Sequence, residues 1–200
     1  FVGTRHIEAM EDVAEITLAA IADPSPEANK IGMAKGVPVY SDAGAMLADS
    51  GIESVIIATP TERHYEDMMM ALEARQTVLV EKPITATLAE ADEVNRFAEK
   101  QGCHVLVGHQ RRYYPCAAEA RDIIARGRIG KLMGVTGQWT ARKDEDYYSA
   151  AWRRDAKAGP ILTNLIQVCQ KCVSKHVDFG RYPQPRQTVM RAPERLRARR

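Results

Sequence analysis

Five short aliphatic runs, each ended by a turn-forming residue and separated by stretches of helical period, are the feature that most constrains this chain. Residues 16–22 run apolar into Asp23, residues 37–40 into Ser41, residues 54–59 into Pro60, residues 78–80 into Glu81-Lys82-Pro83, and residues 104–107 into Gly108. Between them the sequence predicts helices over residues 4–12, from Pro24 and Pro26 onward, from a Ser41 or Asp42 cap to about Ser50, and over 62–75. Tyr65, Met68, Met69 and Leu72 make the apolar stripe of the 62–75 helix, and the Met68-Met69-Met70 triplet reads as core packing. A further stripe of Leu88, Ala91, Val94 and Phe97 closes at Gly102. Strands spaced by helices of this length imply parallel βαβ units, an α/β fold. From Ala117 a helix runs to Gly127, and residues 131–139 read as a strand with no helix behind it. The alternation changes there, so a second, α+β domain is expected to begin near residue 120–130.

Two hundred residues bury a sizeable core without disulfides or metals. Four cysteines (Cys103, Cys116, Cys169, Cys172) form no dense framework, and the start shows no signal-peptide pattern, so a reducing, cytoplasmic setting is expected. No apolar run approaches the roughly 20 residues of a membrane span. The net charge of +2 is uneven: residues 181–200 hold seven arginines and one glutamate, +6, which leaves the first 180 residues at −4. An acidic body with no aromatic interleaving in its basic tail argues against nucleic-acid binding. Cys169, Cys172 and His176 form half a zinc pattern with no fourth ligand of matching spacing, so no metal is expected.

In an open α/β sheet the carboxyl ends of the strands face the ligand crevice. Lys82, behind three buried aliphatics and stopped by Pro83, is therefore aimed at a substrate or ends in a solvated turn. Asp23 ends a strand 20 residues after Gly3, the spacing of a ribose-binding acid behind a glycine-rich turn. A carboxylate there accepts ribose hydroxyls and repels a 2′-phosphate, favouring NAD over NADP. The other reading of Asp23 is the opening of an Asp-Pro-Ser-Pro turn.

Six motifs in order carry a resemblance: Phe1-Val2-Gly3 with His6; Ala22-Asp23-Pro24; Ala58-Thr59-Pro60 with His64; Glu81-Lys82-Pro83; the run from Gly108 through His109, Gln110, Arg111 and Arg112 to Tyr113; and Gly127-Arg128-Ile129-Gly130-Lys131. Over residues 1 to about 166 the chain resembles the glucose–fructose oxidoreductase/inositol dehydrogenase (Gfo/Idh/MocA) family. The resemblance implies a Rossmann-like cofactor domain over 1–120, the beginning of a substrate and oligomerisation domain over 121–166, and hydride transfer between a sugar or polyol hydroxyl and NAD(P). It implies homo-oligomers for full-length members. Phe1, Val2 and Gly3 would meet the pyrophosphate at a helix N-terminus. Thr59 and Pro60 would border the cofactor with His64 behind them, and Glu81 and Lys82 would complete that border. His64 also reads as a helix-surface or capping histidine. Lys82 would hold the substrate oxygen and stabilise its negative charge. Arg112 and Tyr113 follow a strand end on the same side, and an arginine pair there serves equally well as structural ion pairing. The segments Asp146-Tyr147-Tyr148 and Trp152-Arg153-Arg154 resemble a sugar-pocket lining, with Trp152 and Arg153 as substrate contacts; an interdomain aromatic cluster is the alternative.

The pattern also departs from the family. The first strand and the first two fingerprint glycines are absent before Phe1, so cofactor affinity is expected to be weak. The family continues with an aspartate and a histidine that supply the general base, where this chain has Thr163 and Gln167. Neither side chain titrates near neutral pH, and base assistance typically contributes about 10²–10⁴-fold. From residue 167 the pattern vanishes, and 167–200 is expected to be an aberrant tail, the product of a slipped reading frame. Two functions follow: an incomplete, inactive copy of a sugar or polyol dehydrogenase, or a non-catalytic dinucleotide-binding redox sensor.

Overall fold

Local capping chemistry sets several of the helix ends. The computed structural model describes residues 2–48 and 51–134. Its helices are α1 (Val2–Met10), α2 (Pro26–Lys35), α3 (Ala43–Leu47), α4 (Thr61–Glu73), α5 (Leu88–Gln101) and α6 (Pro115–Ala125), with a 3₁₀ turn over Gln110–Tyr113. Ser25 caps α2 through its hydroxyl, Pro26 occupies the first turn, and Gly36 closes the helix at φ 68°. Thr87 and Glu90 form a reciprocal capping box on α5, which Gly102 ends at φ 69°. Asp42, one of the two caps expected, accepts from the Ala45 N–H and starts α3.

The strands are β1 (Ile21–Ala22), β2 (Val39–Tyr40), β3 (Ser54–Ile57), β4 (Thr77–Val80) and β5 (Val105–Val107). All pairings are parallel, in two ladders: β1 with β2, and β3–β4–β5 with β4 central. The alternation of strand and helix expected from the sequence is thus observed, with the α/β class. No strand joins the two ladders among the described residues.

The core lies where β3–β4–β5 meets α4 and α5. Ile57, Met68, Ala71, Leu72, Val78, Val80, Val94 and Ala98 form it, and five of these (Met68, Leu72, Val78, Val80 and Val94) are among the largest fully buried side chains. Each large aliphatic buried this way contributes about 1.5–3 kcal/mol relative to exposure. Met68 confirms the packing role expected of the methionine triplet. Beside the smaller ladder, a Cβ on Gly32 would overlap the Val39 side chain and approach the Val37 carbonyl, so α2 lies directly on β2.

Three expectations are corrected. The strand of 16–22 shrinks to Ile21–Ala22, because only that part finds a ladder partner, with Ile21 donating to Pro38 and Asp23 to Tyr40. Ile16 is left 45% exposed. Leu88 is not on the buried stripe of α5: it follows the Thr87 cap in the outward first turn and is 77% exposed. Residues 131–134 are not strand, since no described strand lies alongside to accept them. The remainder of that expected strand, the 146–154 segment, Thr163, Gln167, Cys169, Cys172, His176 and the arginine-rich tail lie outside the described residues, as does Phe1.

Candidate active site

The parallel register places three strand ends side by side. Ile57, Val80 and Val107 are abreast, and the pairing continues as Glu81 donates to Ile57 (2.9 Å) and Gly108 to Val80 (2.8 Å). Thr59, Lys82 and His109 each follow two residues later, so all three project from the carboxyl edge of the same sheet. The N-terminus of α1 reaches this edge too, for a Cβ on Gly3 would stand 3.9 Å from that of Ala58. That is ordinary contact, so this packing does not itself demand glycine.

Glu81 ties the pieces together. Its Oε1 lies 2.9 Å from His6 Nε2 on α1, and its Oε2 accepts from the Lys82 backbone N–H at 3.3 Å. Burial pushes the Glu81 carboxyl up, but the bond and charge of His6, with the N–H and charge of Lys82, outweigh it and hold the group below its ordinary value. A Cβ on Gly108 would come within 3.0 Å of Glu81 Oε1, so the glycine leaves room for the carboxylate. Lys82 is half-buried and its peptide bond to Pro83 is cis.

His109, next on the rim, is also half-buried, and its Nδ1 is enclosed without a hydrogen-bond partner. Burial pushes this imidazole below its ordinary value, Arg112 and Lys82 add to the effect, and Glu81 opposes it. The neutral ring is therefore favoured.

Behind the rim, α4 supplies two buried polar residues. His64, 1% exposed, points Nδ1 at the Pro83 carbonyl (2.8 Å) and Nε2 at the Thr59 carbonyl (2.9 Å). Asp67, 4% exposed, accepts from the Thr59 hydroxyl (2.7 Å) and from Arg63 (3.0 Å). His64 thus lies against Thr59 with both ring nitrogens facing protein carbonyls, and its burial rules out the helix-surface reading.

Asp23 is exposed at the end of β1 and accepts from the Ser25 N–H at 2.8 Å, so it opens the turn whatever else it does. Pro60 is exposed at the head of α4, and Val2 begins α1. Arg112 is half-buried and close enough to act on His109, whereas Tyr113 is 83% exposed. Trp152 and Arg153 lie outside the described residues. Among the described residues no cluster of three His, Cys, Asp or Glu could hold a metal, and no helix is long and apolar enough to cross a membrane.

Sequence reasoning gave no role to His6, Asp67 or His109. The signal for His109 was available: it follows a strand end as Lys82 does. The signal for Asp67 was the α4 stripe itself, whose buried positions are His64, Asp67, Met68, Ala71 and Leu72.

The donor set fits a dinucleotide. N–H groups at the first turn of a nine-residue helix suit an anionic pyrophosphate, a carboxylate at a strand end suits ribose hydroxyls, and a lysine at another strand end suits a reacting oxygen.

A family model for an oxidoreductase family with an NAD-binding Rossmann fold, Gfo/Idh/MocA, matches residues 1–109. The chain is similar to scyllo-inositol 2-dehydrogenase (NAD(+)) of Bacillus subtilis, 34% identical over 122 residues, covering 60% of this chain and 36% of the relative. It is similar to D-xylose 1-dehydrogenase (NADP(+)) of Hypocrea jecorina, 32% identical over 132 residues, covering 64% and 34%. Among solved structures, myo-inositol 2-dehydrogenase of Lactobacillus plantarum superposes with a TM-score of 0.62 at 25% identity, covering 66% of this chain and 40% of that one. The chain spans less than half the length of the curated relatives it matches.

Proposed function

The chain belongs to the Gfo/Idh/MocA oxidoreductase family, and on that premise we propose that it supplies the cofactor half of an NAD-dependent dehydrogenase acting on a sugar or polyol hydroxyl. The observation that carries this reading is the shared rim: Gly3, Thr59, Lys82 and His109 come to one sheet edge from four separate segments. A nicotinamide, when bound, would supply the hydride acceptor for the carbinol carbon. The N-terminal N–H groups of α1 hold the pyrophosphate, with Phe1, Val2 and Gly3 at the contact. Asp23 turns the carboxylate oxygen not used by Ser25 to the ribose hydroxyls, and Thr59 and Pro60 border the cofactor. Glu81, fixed by His6, holds the backbone of Lys82, whose ammonium steadies negative charge on the substrate oxygen as the hydride leaves. Arg112 and Tyr113, with Trp152 and Arg153, supply substrate contacts.

The hydroxyl proton needs an acceptor, and Gln167 at the expected position cannot serve. This chain should therefore turn over a polyol slowly or not at all. The same glutamine favours a second reading, a dinucleotide-binding redox sensor without chemistry. Titrating NAD and NADP into the protein and then assaying a polyol panel separates these. NAD binding with turnover once histidine stands at 167 in a full-length context supports the dehydrogenase, whereas binding with no turnover there supports the sensor. Tighter binding of NADP than of NAD would remove Asp23 from the ribose.

A further inference from the structure

A threonine hydroxyl has one proton to give, and at Thr59 its destination is fixed. Oγ1 lies 2.7 Å from Oδ2 of Asp67, while Oδ1 of the same carboxylate pairs with Arg63 at 3.0 Å. A carboxylate held in an ion pair only accepts, so the hydroxyl is the donor. Asp67 is 4% exposed, so little water reaches it to compete for that bond. The hydroxyl keeps two lone pairs and has nothing left to donate. Thr59 itself is half-buried at the carboxyl edge that it shares with Lys82 and His109. We propose that Asp67 is a positioning residue: it takes the only proton of the Thr59 hydroxyl, so that Thr59 meets the cofactor as a hydrogen-bond acceptor and selects an O–H or N–H group there.

A threonine without such a neighbour turns its hydroxyl to donate or to accept as the ligand requires. Here the choice is removed, because a bond to a charged acceptor is roughly twice as strong as one between neutral groups. A neutral ligand oxygen therefore does not draw the proton away from Asp67. A phosphate or carboxylate oxygen at Thr59 would face lone pairs alone. Within a dinucleotide the pyrophosphate offers no donor, whereas the ribose hydroxyls and the nicotinamide carboxamide do. The acceptor polarity thus assigns Thr59 to the ribose or carboxamide and leaves the pyrophosphate to the start of α1. The fixed direction of the hydroxyl stands on the Asp67 geometry; that its ligand is a dinucleotide rests on the reading above.

The test reads the full chain in two ways. In proton NMR without ligand, the Thr59 hydroxyl should give its own resonance, slow to exchange with solvent, and lose it in Asp67→Ala. A hydroxyl proton averaged with water in the parent would overturn the proposal. NAD is then titrated by calorimetry into the parent, Thr59→Ser and Thr59→Val, each checked for folding by circular dichroism. Serine keeps the hydroxyl and should retain NAD affinity within about twofold, whereas valine should weaken it about 3–10-fold, the worth of one hydrogen bond. A folded valine variant that binds NAD as the parent does would make the Thr59 hydroxyl a purely internal tie and sink the selection. The same titrations with 3-acetylpyridine adenine dinucleotide, in which a methyl group replaces the carboxamide nitrogen, locate the donor. A loss confined to NAD assigns it to the carboxamide, and an equal loss for both assigns it to a ribose hydroxyl. Should Thr59→Val fail to fold, Asp67→Asn takes its place. With its oxygen kept by Arg63, the asparagine turns its amide to Oγ1 and frees the hydroxyl proton, so NAD binding should weaken; unchanged binding would overturn the proposal. A parent that binds no NAD defeats the reading above and the selection with it, while the hydroxyl resonance still decides what Asp67 does.

Discussion

The three-stranded ladder rests on eight buried apolar side chains between β3–β4–β5 and helices α4 and α5, whereas α1 buries none of its residues and α2 only Ala28 and Gly32. Both regions contribute to the candidate site. Thr59, Lys82 and His109 belong to the densely packed half, and Gly3 and Asp23 to the sparse one. The half that holds Lys82, the proposed reacting group, is thus held by burial, while the half proposed to hold phosphate and ribose depends on a few polar ties. Two of those ties are visible: His6 to Glu81, and Lys35 to Glu11 between α2 and the end of α1. The difference teaches that cofactor affinity and lysine placement should respond to different substitutions.

The largest expected effect falls on the dense half. Met68→Ala should cost about 2–5 kcal/mol by urea denaturation, the range for a methionine in a closed core. Met33→Ala, at a position 85% exposed on α2, should change stability by no more than about 0.5 kcal/mol. Equal losses would mean that the sparse half is packed as tightly as the other.

A smaller effect tests the tie between the halves. His6→Ala removes the side-chain partner of Oε1 on a part-buried carboxylate and should cost about 0.5–1.5 kcal/mol, the range for one net hydrogen bond, since Oε2 keeps the Lys82 N–H. It should also weaken NAD binding while leaving the amides of Val80 and Val107 in place. An unchanged NAD affinity would show that α1 is held by something other than Glu81.

How much of this was legible beforehand depended on whether the governing physics was local. The five strands and their helices, Gly36 and Gly102 excepted only in their φ values, follow from period and capping, and so does the common edge for Thr59, Lys82 and Gly108. The length of β1 was not legible, because a strand exists only where a partner lies alongside, and residues 16–20 have none among the described residues. The face of α4 was read from Tyr65, Met68, Met69 and Leu72, one step from its true centre. A hydrophobic stripe counts apolar residues, and two of the buried positions here are His64 and Asp67. Their burial is justified by backbone carbonyls and a hydroxyl that come from other segments, which no spacing within the helix reveals. The pairing of His6 with Glu81 across 75 residues was invisible for the same reason.

The smallest effect concerns His109. Its folded-state value is lowered, chiefly by burial, so the unfolded chain takes up a proton first as the pH falls. Stability from this group is present above the unfolded value of about 6.5 and declines below it. His109→Phe should flatten the decline in stability that begins as the pH falls below about 6.5, followed by urea denaturation across that range. An unaltered slope would mean that the ring opens to solvent and belongs with the sparse half.

The central claim is that Lys82, at the edge of the dense half, is the reacting group of a dehydrogenase whose cofactor rests on the other half. It is tested most directly by comparing Lys82→Met with the parent in a full-length protein carrying histidine at position 167, measuring polyol-dependent NAD reduction and NAD affinity together. The account predicts that kcat falls by about 10²–10³-fold, the usual loss on removing one charge-stabilising group, while the Kd for NAD changes little. Turnover within about twofold of the parent, outside that range, would contradict it and make the Glu81-Lys82-Pro83 turn structural.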